Sequence, residues 1–204
     1  YCTDPKFRAY VDDLEARHRA AFPDASAEGD GFQEATGVDR MDWFIHQVEQ
    51  ELNVLWSDAD DAEDDANAAT ENAPECDPPP ETARRMRCSD AAVVTANGRL
   101  YLGLNEDEAK AVLTGMSMVR TPDWFGYVYL GELVGNAATF NRWGLGITVN
   151  TVEPAATAAA IRKGTPWYAK YFILRVLVDA TTPEEVVARV RNHPTGSAFS
   201  CNVY

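Results

Sequence analysis

Histidine is scarce in this chain of 204 residues, with only His18, His46 and His193, none beside a cysteine in sequence. The four cysteines, Cys2, Cys76, Cys88 and Cys201, are widely and irregularly spaced and include no Cys-x-x-Cys pair. Zinc sites draw on closely spaced Cys and His, so no metal is expected, and no cofactor is assigned. Four cysteines at this length also make a disulfide scaffold improbable. No apolar run reaches the length of a membrane span. Lys and Arg number 18 against 32 Asp and Glu, giving a formal net charge of −14. Phosphate binding needs clustered basic residues, so nucleic acid is excluded as a partner. An initiator methionine and an apolar signal core are missing too: the chain opens at Tyr1. A missing or processed start is expected, and no compartment is assigned.

What is present falls into three parts. Phe7, Tyr10, Val11, Leu14 and His18 recur at helical spacing from about Asp4 to Phe22, and Pro23 ends the pattern. A second helical stripe, Met41, Phe44, Ile45, Val48, Leu52 and Leu55, runs from about Asp39 to Trp56. His46 lies within it, where a partly buried polar residue is a more economical reading than a catalytic one. Residues 57–87 form an acidic linker, with ten acids and no Lys or Arg between Asp58 and Glu81. It holds too little apolar surface to offset its ordering entropy, so disorder is expected. From residue 88 the character changes to short strands at Ala91–Thr95, Arg99–Leu104, Trp124–Leu130 and Gly144–Asn150. Helices at Tyr168–Asp179 and Pro183–Asn192 follow, the second opened by Thr182, and Ser197–Tyr204 reads as a strand that stops in mid-sheet. Strands, then helices, then a returning strand suit a layered α+β fold, and more chain is expected beyond Tyr204.

Asn97-Gly98 between two apolar runs is a strong hairpin signal. A two-residue turn there makes opposing numbers sum to 195, so that Cys88 faces Asp107, with side chains roughly 4.5–5.5 Å apart at Cβ. Thiol and carboxylate would then meet at the open end of the hairpin. Taken alone, Cys88 reads as a small hydrophobe in a strand. Its neighbourhood changes that, because an acidic tether ending in Arg84-Arg85-Met86-Arg87 delivers the Arg87–Cys88 bond to an accessible position. Cutting there would leave Cys88 at a chain start, where its own α-amine, pKa about 7.7–8.0, can take the thiol proton without any histidine. Asp107 would hold the α-ammonium, with Asn105 as polar support.

Four stretches in order then resemble the acyl-coenzyme A:isopenicillin N acyltransferase family, cysteine N-terminal-nucleophile hydrolases that include the insect β-alanyl-dopamine hydrolase type. They are Gly31–Asp39 with the helix ending Glu49-Gln-Glu-Leu52; Cys88-Ser-Asp90 through Asn97-Gly-Arg99 to Gly103–Asp107; Gly131–Asn141 continuing to Gly144–Asn150; and Gly164-Thr-Pro166 with Phe172–Leu177, Thr181–Glu185 and Ser197–Phe199. The resemblance implies a four-layer αββα sandwich, incomplete at its C-terminus. It also implies a helical prosegment (1–56), a linker ending at the processing site (57–87) and the first part of the catalytic domain (88–204). The implied reaction is attack of the Cys88 thiolate on a small-molecule acyl amide or thioester, within an alpha/beta heterodimer formed by cleavage. The family's oxyanion asparagine falls in a later segment, so this polypeptide alone is expected to be inactive. Where the family places a small residue before the nucleophile, this chain has Arg87, and Arg84-x-x-Arg87 also fits cutting by a separate protease.

Other readings stay open. A sandwich that is never cleaved would be a binding or structural module. A papain-like thiol peptidase would need His193, which sits in a helix-end His-Pro sequence. Trp124, Phe125, Tyr127 and Tyr129 form an aromatic strand suited to the core or to an acyl pocket. Asn150 is a further pocket candidate, or, like Asn141, a turn residue. Arg175, on an otherwise apolar helix, either pairs with an acid or reaches out to water.

Overall fold

The computed structural model describes residues 5–56, 88–106, 115–152 and 164–204. The expected disorder of the acidic linker, the Arg87 side of the cleavage site and Asp107 lie outside them.

Three helices lead. In α1 (Pro5–Ala21) the series Phe7, Val11, Leu14 and His18, at alternating steps of four and three, is buried, as its spacing requires. Pro23 ends that pattern but also opens α2 (Pro23–Thr36), a helix missed in the sequence reading. Proline suits the first helical position, whose N–H needs no partner. Gly37 closes α2 in the left-handed region, its N–H bonding to Gln33 O at 2.8 Å. Few large apolar residues mark α2, which is why its period is faint. In α3 (Arg40–Trp56), Met41, Trp43, Phe44, Val48 and Leu52 are buried.

The sheet part begins with a hairpin, β1 (Ser89–Val94) and β2 (Leu100–Asn105). A five-stranded antiparallel sheet follows in the spatial order β3 (Ser117–Arg120), β4 (Trp124–Val128), β5 (Thr139–Asn141), β6 (Gly146–Val152) and β7 (Ala198–Val203). The short β3 and β5 carry no clear alternation and were not expected. The two later helices are α4 (Lys170–Leu177), shorter than read from sequence, and α5 (Pro183–Asn192), capped by Thr182 Oγ1 accepting from Glu185 N–H at 3.2 Å.

Layers follow from the pleat. Ile147 and Val149 of β6 pack with Leu174 and Leu177 of α4 and Val186 of α5. Phe172 and Ile173, on the other side of α4, join the core of α1, α2 and α3. Being buried all round, α4 is the centre of the helical side. The opposite face of the sheet carries Thr148, which bonds to Asp90 of β1, and Gly146, where an added Cβ would lie 3.0 Å from Leu102 of β2. The hairpin therefore covers the β6–β7 half of that face. The fold is α+β with antiparallel sheets.

Candidate functional site

The hairpin closes differently from the sequence reading. Partners run from Ser89↔Asn105 to Val94↔Leu100, so opposing numbers sum to 194 rather than 195. Gly98 N–H bonds to Thr95 O and Thr95 N–H to Arg99 O, both at 2.9 Å, and Gly98 has φ +77°. This is a three-residue loop whose last member takes the left-handed region. The extra residue moves the register by one. Cys88 meets Glu106, its Sγ donating to Oε2 at 3.3 Å, while the expected partner Asp107 lies outside the described residues.

Cys88 is half-buried at the open end of the hairpin. One step inward on the same face, Asp90 accepts from Thr148 Oγ1 and from Asn202 Nδ2 at 2.7 Å, tying β1 to β6 and β7. That tie was not read from the sequence, although an aspartate inside an apolar strand was a usable signal. Asn105 pairs with Ser89, and both are exposed on the hairpin's other face. Along β6, Gly146 lies under Leu102, whose strand partner is Ala92, and Thr148 under Asp90. Asn150 follows two residues further along β6, on the same face as Gly146 and Thr148. Its Oδ1 is buried with no hydrogen-bond partner among the described residues.

Cys201 and Cys88 are both thiols outside any disulfide. Burial, reinforced by the Asp90 charge, pushes the Cys201 thiol up to about 12, so it stays protonated and unreactive at neutral pH.

The β4 candidates part company, because successive strand residues face opposite ways. Phe125 turns to the hairpin side and stacks on Phe140, centroids 4.9 Å apart and planes 8° apart. Trp124 turns to the helical side. Both border a cleft of about 220 Å³ with Arg120, Asn141 and Arg142. Asn141 spans two layers: Nδ2 donates to Val178 O (3.0 Å) and Ala180 O (2.6 Å), while Oδ1 accepts from Trp143 and Leu145 N–H (3.1 Å each). It is a turn residue, and it also anchors the turn to α4.

The histidines stand apart from Cys88. His46 is exposed, 3.8 Å from Glu49. His193 is half-buried, packed against Phe22 and Tyr168. His18 lies in the helical core. Arg175 pairs with Glu28 and Asp179. Among the described residues, no group of three or more His, Cys, Asp or Glu is placed to hold a metal ion. Nor is any helix there long and apolar enough to cross a membrane.

Comparison with known proteins gives one match, and no curated protein and no solved structure matches. Residues 93–204 match the family model described as acyl-coenzyme A:6-aminopenicillanic acid acyl-transferase, beginning inside β1 and running through the whole five-stranded sheet. With more than half of its length matched, the chain belongs to the acyl-coenzyme A:6-aminopenicillanic acid acyl-transferase family.

Proposed function

We propose that the chain is a cysteine N-terminal-nucleophile amidohydrolase or acyltransferase that acts through Cys88 after the Arg87–Cys88 bond is cut. Family membership supports acyl-transfer chemistry. The observation that carries the assignment to Cys88 is its half-buried thiol at the open hairpin end, against Glu106, where the strand begins. Cysteine in the core would instead be silenced by burial, as Cys201 is.

In this reading, cleavage frees the α-amine of Cys88, which takes the thiol proton. The thiolate attacks the carbonyl carbon of an acyl amide or thioester. The C–N or C–S bond breaks, the leaving amine or thiol receives the proton, and the acyl group stays on sulfur. Water or an amine then takes the acyl group and returns the proton. The buried Oδ1 of Asn150 offers an acceptor for an N–H of the freed amine, and Asp107 is its acidic partner by resemblance. The helices, the five-stranded sheet and the hairpin supply three layers in the order that an αββα sandwich requires. Helices α1–α3 would remain bound after cleavage as one chain of a heterodimer.

Intact-mass spectrometry of the full-length gene product, incubated beside a Cys88→Ala variant, tests this. Two species from the parent, one starting at Cys88, and none from the variant establish self-cleavage. A second species from both points to another protease. A folded, uncut parent sinks the nucleophile reading and leaves a binding module.

A further inference from the structure

On the helical side of the sheet, the face turned away from the hairpin, a cavity of about 210 Å³ lies between α2, α3 and the β3–β4 edge. Phe32 and Trp43 wall it from the helices, Trp124 and Val128 from β4, and Glu28 and Glu132 bring carboxyl groups to its lining. Among the described residues, no Lys, Arg or His lines it. The loop on its far side is fixed from α3: Gln47 Nε2 donates to Gly131 O at 2.7 Å, and its Oε1 accepts from Leu133 N–H at 3.0 Å. Trp43 is fixed as well, since its ring lies where a Cβ on Gly29 would be only 2.3 Å away. The cavity is therefore preformed.

Its two acids differ. Glu28 is taken up by the Arg175 guanidinium. Glu132 accepts from neutral donors, Tyr171 Oη–H and Asn136 Nδ2, each at 3.0 Å, and among the described residues it forms no salt bridge, the Lys170 and His46 side chains acting on it from beyond contact and less than burial does. Burial holds its carboxyl above the ordinary range. A desolvated carboxyl with no cation in contact is a costly arrangement that an entering positive charge would relieve. Aromatic faces attract cations in their own right, and the Glu132 carboxyl disfavours anions. Cavities of about 150 Å³ admit benzene, so this one has room for a ring with a short chain.

We propose that this cavity binds a small organic ammonium ion, with the amine against Glu132 and its aromatic or short aliphatic part against Trp43 and Trp124. The site goes beyond the acyl-transfer reading and does not depend on it, because it lies across the sheet from Cys88 and its occupancy is read without any cleavage.

Titration calorimetry of the full chain, followed also by tryptophan fluorescence, compares three probes of one shape: 2-phenylethylammonium, neutral 2-phenylethanol and anionic 3-phenylpropionate. The ammonium is expected to bind at least about tenfold more tightly than the alcohol, and the carboxylate more weakly than either. In Glu132→Gln, the preference for the ammonium collapses to about twofold or less while the alcohol binds as before. Equal binding of ammonium and alcohol by the parent overturns the proposal, as does no binding of any probe at millimolar concentration. A folded Glu132→Gln chain that keeps the preference does so too. The parent series decides the matter even if that variant fails to fold.

Discussion

At His18, burial and two hydrogen bonds act on one ring. Nδ1 lies 2.8 Å from Leu14 O and Nε2 accepts from Ala169 N–H at 2.8 Å, so the neutral tautomer with its proton on Nδ1 satisfies both. Desolvation lowers the ring's pKa to about 4. A depressed histidine adds stability above the ordinary value of 6.5 and loses it as pH falls towards 4, because the unfolded chain takes up the proton first. The shift corresponds to about 3 kcal/mol. Urea midpoints measured from pH 7.5 down to 4 should therefore fall for the parent and fall less for His18→Gln. Parallel profiles would show that the ring does not titrate in this window. The variant is the needed reference, because Glu51 works the other way: burial raises its carboxyl, so its contribution is largest in acid and is lost as pH rises through the folded value. The sequence showed His18 only as one member of an apolar stripe. What silences it is the set of rings around it, Phe22, Phe44, Trp167, Tyr168 and Phe172, three of which come from 120 or more residues along the chain beyond the linker.

Among the elements, α4 depends on partners from elsewhere. Its cap residue, Ala169, makes no side-chain hydrogen bond, and the first N–H groups are met from α1 and α3: Ala169 N–H by His18 and Lys170 N–H by Glu51 Oε1 at 2.8 Å. An apolar helix with no cap of its own can still begin there because distant acceptors fill the capping role. At its other end, the Asn141 amide holds the Val178 and Ala180 carbonyls. Asn141→Ala orphans those carbonyls and two turn N–H groups, and should cost about 2–3 kcal/mol in chemical denaturation. Asn141→Asp keeps the acceptor for Trp143 and Leu145 but sets a carboxylate against two carbonyl oxygens, so it should destabilise at least as much at pH 7. A cost within about 0.5 kcal/mol for both would show that the turn holds without the side chain. Likewise, the hairpin's existence was legible in Asn97-Gly98, whereas its register was not. Two-residue and three-residue loops both accept a glycine at residue 98, and they differ by the one residue that brings Glu106 to Cys88.

For the whole molecule, the helices before the linker and the sheet after it share one interior. Phe7, Val11, Leu14, Phe44 and Val48 pack in the same cluster as Trp167, Ala169, Phe172 and Ile173. Glu51 also accepts from Ser197 Oγ at 2.6 Å, Gln47 holds the 131–133 turn, and Arg175 reaches Glu28. If a specific protease site is inserted between residues 57 and 87 and cut, the two pieces should elute together on size exclusion and part only in denaturant. Separation under native conditions would contradict a common core.

The sequence by itself determined the helical stripes of α1 and α3, the hairpin at Gly98 and the cap of α5, because each rests on local spacing or turn chemistry. Only the tertiary structure decided α2, the register that brings Glu106 to Cys88, the tie from Asp90 to Thr148 and Asn202, the neutrality of His18, and the burial of Glu132 beside an aromatic cavity. Each of those depends on which groups meet across layers, and burial sets their energy by removing water that no sequence window contains.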